Sequence, residues 1–199
     1  MENNPEISII LPCLNEEQAI GFCLDKIKEV IKKNNLNAEI IVVDNGSTDN
    51  SRNIIKEKQV KLVEEKERGY GSAYLKGFEA AEGKYIFMAD SDGSYDFSEI
   101  PNFIKYLRQD YDFAIGDRFK GKIEQGAMPF LHRRLGNPLF SLLSRWWFRA
   151  PIHDVYCGMR GFTKKHYEKL DQRCTGMEFA TEMIIKSSLR GARIAEVPI

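Results

Sequence analysis

Short apolar runs that end in acidic or turn-forming residues, separated by stretches of helical spacing, constrain this chain more than any other sequence feature. Ile7 to Leu11 is the first such run, halted by Pro12 and followed by Asn15. It reads as a buried strand. From Glu16 to Lys33, residues Ile20, Leu24, Ile27 and Ile31 recur along one helical face. Glu39 to Val43 is a second strand ending at Asp44, and Asn45-Gly46-Ser47-Thr48-Asp49 supplies a turn and a cap for a helix reaching about Lys58. Val60 to Val63 is a third strand. Gly69-Tyr70-Gly71-Ser72 then opens a helix through Ala81, and a fourth strand, Lys84 to Ala89, runs into Asp90-Ser91-Asp92. A helix from about Ser98 to Arg108 tolerates Pro101 in its first turn. It carries Ile100, Phe103, Ile104 and Leu107 on one side, and strand Phe113 to Gly116 follows.

Alternation at this spacing requires parallel pairing through crossover connections. The expected fold is therefore α/β, a Rossmann-like, open, mostly parallel sheet with helices on both faces. Beyond residue 117 the alternation breaks down into a loop, a helix near Leu139 to Phe148, a glycine-containing stretch Cys157 to Gly161, a helix Glu178 to Leu189 and a strand-like end. No internal repeat appears, and 199 residues suit one domain, 1–199. In such sheets ligands bind beyond the strand C-termini, where the polar residues of this chain gather.

Composition narrows the classes. With 43% hydrophobic and 29% charged residues the chain can build an ordinary core, which excludes a disordered tail, a collagen-like fibre or a disulfide miniprotein. A formal net charge of +0 argues against a general nucleic-acid binder. That charge is unevenly distributed. Arg118 to Arg149 holds Arg118, Lys120, Lys122, Arg133, Arg134, Arg145 and Arg149 against Glu124 alone, so the remainder is acidic to the same extent. An anion is the expected partner of that segment. The four cysteines (Cys13, Cys23, Cys157, Cys174) form no CxxC pair, and Met1 to Glu6 lacks the apolar core of a signal peptide. Both point to a reduced, cytoplasmic setting with buried thiols. No run approaches the roughly 20 apolar residues of a membrane span. The abrupt end at Glu196-Val197-Pro198-Ile199 suggests a chain cut before further segments, transmembrane helices among them.

The chemistry gathers at strand ends. An apolar strand delivers Asp90 and Asp92, one residue apart, into the loop beyond it. In extended backbone these two side chains point the same way and can face one hard cation, Mg²⁺ or Mn²⁺, which takes oxygen ligands and often holds substrate phosphates. An acidic turn capping the next helix is the plainer alternative. Asp44, with Gly46, Ser47, Thr48 and Asp49, suits a ribose or base edge, and Pro12, Asn15 and Glu16 leave the first strand at the same edge. Arg68-Gly69-Tyr70-Gly71 adds a cation and a close backbone approach. Together these strand ends suit a nucleotide with a metal-bound diphosphate.

Ile9-Ile10-Leu11-Pro12 with Asn15-Glu16, Ile41-Val42-Val43-Asp44 with Gly46-Ser47-Thr48-Asp49, and Asp90-Ser91-Asp92 resemble the family 2 glycosyltransferases of GT-A fold. Gly116-Asp117-Arg118-Phe119, Arg133-Arg134-Leu135-Gly136-Asn137, Asp154-Val155-Tyr156-Cys157-Gly158-Met159-Arg160 and Thr175-Gly176-Met177-Glu178-Phe179 narrow the similarity to the dolichol-phosphate and polyprenyl-phosphate mannosyl- and glucosyltransferases. The resemblance implies a UDP- or GDP-sugar donor, a divalent metal, a lipid-phosphate acceptor, inversion at the anomeric carbon and work at the cytoplasmic face of a membrane. It divides the chain into a nucleotide-sugar and metal half, 1–117, and an acceptor half, 118–199. Pro12, Asn15, Glu16, Asp44, Gly46, Ser47, Arg68, Gly71, Asp90 and Ser91 fall to the donor, and Asp90 and Asp92 to the metal. Ser94 stands where members of this branch often place a Gln ligand. Arg118 and Arg134 match the arginines that hold the acceptor phosphate, where a guanidinium fork suits the geometry. Asp154, Glu178 and Glu182 are candidates for a base or sugar contact, with capping or ion pairing as the alternative.

Three other readings compete. Asp90-Ser91-Asp92-Gly93-Ser94 also resembles the nucleophile loop of haloacid-dehalogenase-type phosphatases, but there it follows the first strand and here the fourth. A dinucleotide-binding Rossmann domain lacks support, because Pro12-Cys13-Leu14-Asn15 replaces the glycine-rich first turn. A transferase with a saccharide hydroxyl acceptor, or a nucleotide-sugar-binding module without turnover, remains the alternative. Within Leu139 to Arg149, Trp146 and Trp147 lie among arginines, a pattern suited to a membrane interface or to a packed helix.

Overall fold

The computed structural model describes residues 4–120 and 152–199. Arg133, Arg134 and the Leu139 to Phe148 segment with Trp146 and Trp147 lie outside the described residues. The described chain forms β1 (Ile7–Cys13), α1 (Ile20–Lys33), β2 (Ala38–Asp44), α2 (Ser51–Glu57), β3 (Lys61–Glu64), α3 (Tyr70–Ala80), β4 (Tyr85–Met88), a 3₁₀ turn (Phe97–Glu99) leading into α4 (Ile100–Arg108), and β5 (Phe113–Asp117). Then follow β6 (Arg160–Thr163), α5 (Lys164–Leu170), α6 (Phe179–Leu189) and β7 (Ile194–Pro198).

The strands make one seven-stranded sheet in the order β3-β2-β1-β4-β6-β5-β7. Only β6 runs against its neighbours, β4 and β5; the described pairings among the other strands are parallel. The mostly parallel sheet expected from the alternation is therefore present, with one antiparallel strand within the glycine-containing stretch that follows residue 156. That strand has a large consequence. Because β6 enters from the edge where the parallel strands end, residues 154–159 lie at that edge, between the ends of β4 and β5.

The core follows from the apolar runs. Ile7, Ile9, Ile10 and Leu11 of β1 and Ile86, Phe87 and Met88 of β4 are fully buried. A side chain of this size contributes about 1.5–3 kcal/mol when fully buried. Both faces of the sheet are covered. Phe87 meets Phe103 of α4 edge-on at 5.2 Å on one face, while Phe162 of β6 meets Phe78 of α3 at 5.2 Å on the other.

Strand β1 passes through Pro12 instead of stopping there. Pro12 still pairs in register with Val43 of β2, but β4 has ended at Met88, so no ladder bond on that side needs the missing N–H. The Pro12 carbonyl instead accepts from Ser91 Oγ at 2.5 Å. Helix α1 begins at Ile20, after a turn closed by Ala19 and Ile20 amides on the Glu16 carbonyl. Cys13, Cys23 and Cys157 are buried and Cys174 half-buried, all as free thiols.

Candidate active site

The sheet order reverses direction between β1 and β4, and there a cleft of about 490 Å³ opens at the strand C-termini. Pro12, Cys13, Leu14 and Glu16 line it from β1, Asn45 from β2, Arg68, Gly69 and Tyr70 before and within α3, and Asp90, Ser91 and Asp92 from β4. A crevice at such a switch point is where open α/β sheets bind ligands.

Three carboxylates share the cleft with Arg68. Among the described residues no Lys or Arg forms an ion pair with Glu16, Asp90 or Asp92. Burial raises the affinity of Asp90 for its proton, Asp92 raises it further, and the Tyr70 and Tyr74 hydroxyls partly offset both. Those hydroxyls donate to Asp90 Oδ1 at 2.9 and 3.3 Å. Burial and the charges of Asp92, Asp49 and Asp90 likewise raise Glu16. Asp92 Oδ1 accepts the Ser94 amide at 2.9 Å, so Ser94 supports Asp92 through its main chain. An oxygen-only donor set without ion-pair partners among the described residues fits a hard divalent cation.

A different cluster meets the geometric demand for three protein ligands. Asp117, His153 and Glu196 bring ligand atoms within 4.8 Å of one another. The Lys120 ammonium already fills that point, 3.2 Å from Asp117 Oδ2 and 2.8 Å from Glu196 Oε2. Its positive charge disfavours a second cation there. Asp90 and Asp92 supply only two carboxylates, which is sufficient where a diphosphate contributes the remaining ligands.

Other donor-side candidates hold the loops together. Asn15, in the left-handed region, accepts from the Thr48 amide at 2.8 Å, and its own amide donates to Ser47 Oγ at 3.0 Å. The Glu16 amide donates to Ser51 Oγ at 2.8 Å. Asp44 is buried, receives the Ser47 amide at 3.1 Å and lies 3.6 Å from Arg52 Nε. It sits behind the cleft lining, and the adjacent Asn45 faces the cleft. Gly46 lies beneath Arg68, whose Nη2 donates to the Gly46 carbonyl at 3.3 Å. Gly71 packs closely on its own chain: a Cβ there would lie 2.5 Å from the Cys174 carbonyl oxygen.

Among the residues expected to serve an acceptor, Arg118 makes a two-pronged ion pair with Asp154, Nε to Oδ2 at 2.6 Å and Nη2 to Oδ1 at 2.9 Å. Asp154 is fully buried while the Arg118 side chain is 26% exposed. A buried carboxylate already held on both oxygens orients the guanidinium and is poorly placed to act as a base. Glu178 takes the Gly176 amide at 3.2 Å beside the start of α6. Glu182 receives the amides of Arg173 and Cys174 and pairs with Lys186 at 2.7 Å. Both bind their own chain. Arg134 lies outside the described residues.

Four residues escaped the sequence reading as site components: Tyr70, Tyr74, Tyr95 and Arg160. Tyr70 and Tyr74 are one helical turn apart at the start of a helix opening on the donor edge, a spacing legible in principle. Tyr95 Oη accepts the Gly158 amide at 2.8 Å. Arg160, fully buried, holds the carbonyls of Cys157 at 2.9 Å, Ala180 at 2.6 Å and Val155 at 3.2 Å.

A switch-point cleft with paired Asp residues on a mostly parallel sheet is the arrangement of a nucleotide-sugar transferase. Residues 8–171 match the model of Glycosyl transferase family 2, and the chain belongs to that family. It is 39% identical over 196 residues to the low-salt glycan biosynthesis hexosyltransferase Agl6 of Haloferax volcanii, covering 98% of this chain and 47% of that protein. The chain thus spans about half the length of that relative. It is 32% identical over 197 residues to a dolichyl-phosphate hexose transferase of the same organism, covering 98% of this chain and 82% of that one. These relatives place it in the dolichol-phosphate-type branch. Glucosyl-3-phosphoglycerate synthase of Mycobacterium tuberculosis, crystallised with Mn²⁺, UDP and phosphoglyceric acid, superposes with a TM-score of 0.76 at 20% identity, covering 98% of this chain and 68% of that one. That match establishes the GT-A fold.

Proposed function

We propose that this domain moves a hexose from a nucleoside-diphosphate sugar, of the UDP-glucose or GDP-mannose type, to a polyprenyl or dolichyl phosphate, with inversion. The observation that carries the reading is the set Glu16, Asp90 and Asp92, carboxylates without an ion-pair partner among the described residues, facing a cleft at the sheet's switch point. Asp90 and Asp92, with Ser94 beside them, would hold Mg²⁺ or Mn²⁺. Bound there, the ion would act as a Lewis acid on the diphosphate leaving group. The crystallised neighbour's Mn²⁺ and UDP support a metal and a nucleotide on this fold.

The chain's own residues account for the rest. Arg68, in the cleft lining, is suited to the diphosphate, where a guanidinium favours anions. Arg118, just beyond the end of β5 and across β6 from β4, would present to the acceptor phosphate the edge of its guanidinium that Asp154 leaves free. Arg134 is its expected partner. A phosphate acceptor is ionised near neutral pH and attacks without a general base, which agrees with a site whose buried carboxylate, Asp154, is committed to an arginine. The similarity to a dolichyl-phosphate hexose transferase supports a lipid phosphate. The basic excess of Arg118 to Arg149 suits work at the cytoplasmic face of a membrane, although no helix among the described residues is long and apolar enough to cross one.

The test is a transfer assay with GDP-mannose or UDP-glucose, Mn²⁺ and a short polyprenyl phosphate. A glycosyl phosphoprenol of inverted anomeric configuration is expected. Transfer to saccharide hydroxyls alone, or nucleotide binding without turnover, would overturn the acceptor assignment.

A further inference from the structure

The segment Asp154 to Met159 touches both halves of the site. Asp154 grips Arg118, and four residues later Gly158 lies against Asp90. A Cβ on Gly158 would fall 2.6 Å from Asp90 Oδ2 and 3.1 Å from Tyr95 Oη, so glycine is required for this close approach. The segment is internally braced. The Cys157 amide closes on the Asp154 carbonyl at 3.4 Å, and Arg160 holds the carbonyls of Val155 and Cys157. It therefore behaves as one block carrying Asp154 at one end and Gly158 at the other. The Tyr95 hydroxyl, 2.8 Å from the Gly158 amide, fastens that block to the loop that carries Asp90 and Asp92. Arg118 lies within electrostatic reach of Tyr95.

We propose that Tyr95 is a positioning residue for the acceptor: by holding Gly158 it sets the separation between the donor carboxylates and the Arg118–Asp154 pair. The proposal rests on the reading of Arg118 as the acceptor-phosphate ligand. The physical reason is the geometry of displacement. The acceptor oxygen must face the anomeric carbon opposite the leaving diphosphate, and a misplacement of about 1 Å costs on the order of a hundredfold in rate. Beyond the end of the β4–β6 ladder, this hydroxyl-to-amide bond joins the groups that place the two reactants. Tyr95 itself does not line the donor cleft.

Tyr95→Phe keeps the ring and removes the acceptor of the Gly158 N–H. It is expected to raise the acceptor KM about tenfold while nucleotide–Mn²⁺ affinity by calorimetry changes less than about twofold. In an Arg118→Lys background the same change should add little, because the two residues act on one step. Equal penalties in both backgrounds, or an unchanged acceptor KM, would overturn the proposal. Amide exchange provides a second readout, independent of turnover. Residues 154–158 should exchange at least about tenfold faster in Tyr95→Phe, and an unchanged rate refutes the link. Should that variant not fold, the Gly158 amide of the wild-type protein decides: it must be protected, and exchange at the rate of an open loop rejects the bond. No glycosyl phosphoprenol from the wild type would defeat the acceptor reading, whereas unchanged exchange in Tyr95→Phe defeats the link alone.

Discussion

At the scale of single residues, the two sides of the site differ in how charge is managed. Glu16, Asp90 and Asp92 share a cleft with no ion-pair partner among the described residues, whereas Arg118 and Asp154 neutralise one another. Asp92→Asn therefore removes part of an oxygen donor set and is expected to abolish turnover; full activity in that variant would sink the metal assignment. Arg118→Lys keeps a charge beside Asp154 but loses the fork, so the acceptor KM should rise about tenfold with the donor KM unchanged. Arg118→Ala is less informative, because it leaves a buried carboxylate uncompensated and should cost about 3 kcal/mol in stability. Denaturant titration of the two variants would separate these effects. The candidates Asp90 and Asp92 are legible as residue types at a strand end, and Arg118 only through the resemblance. The clasping of Asn15 to Ser47 and Thr48 is not legible, since the sequence records that polar residues lie in two loops but not that the loops face one another.

At the scale of elements, α3 shows what local pattern conveys and what it omits. Its start at Tyr70 follows from Gly69 just before it, but its depth against the sheet depends on Gly77. A Cβ there would lie 2.5 Å from Ile10 Cγ2 and 3.1 Å from Val43 Cγ2. Gly77→Ala must push α3 off β1 and β2, and a loss of about 1–3 kcal/mol is expected by chemical denaturation. Strand β6 was illegible for a related reason. Four residues, Arg-Gly-Phe-Thr, carry no alternation, and the strand is buried between β4 and β5. Its orientation depends on neighbours far away in sequence. Helix α5 escaped as well, although Thr163 caps it by accepting the His166 amide at 3.1 Å. Seven residues with three lysines or histidines in the first four positions, Lys164, Lys165 and His166, give no apolar stripe.

For the whole molecule, ionisation and ligand linkage give two measurable consequences. Burial works to raise Glu182, but Lys186 and the amides of Cys174 and Arg173 bring it down to about 2, against 4.5 unperturbed. The unfolded chain therefore binds more protons than the folded one between those values. The contribution is present above about pH 4.5 and is lost as pH falls towards 2. Glu182→Gln should flatten the acid limb of the stability curve, read from thermal unfolding between about pH 2 and 5. The second consequence concerns the donor. A ligand that binds the folded state raises apparent stability by about 2.7 kcal/mol at a hundred times its Kd. A thermal-shift panel of UDP- and GDP-sugars with and without Mn²⁺ should single out one nucleotide, with the larger shift when metal is present. Equal shifts without metal would contradict the role given to Asp90 and Asp92.

The sequence by itself determined the parallel sheet, its helices and the edge at which chemistry gathers. Those depend on local periodicity and on the residues that end each strand, information written within a few positions of where it acts. The tertiary structure alone decided which polar residues face the ligand and which face each other. Asp44 turned towards its own loop, Asp154 towards Arg118, Gly71 towards Cys174, and an antiparallel strand carried Gly158 to Asp90. Each of these is a contact between distant segments, settled by packing and by the need to pair buried charge.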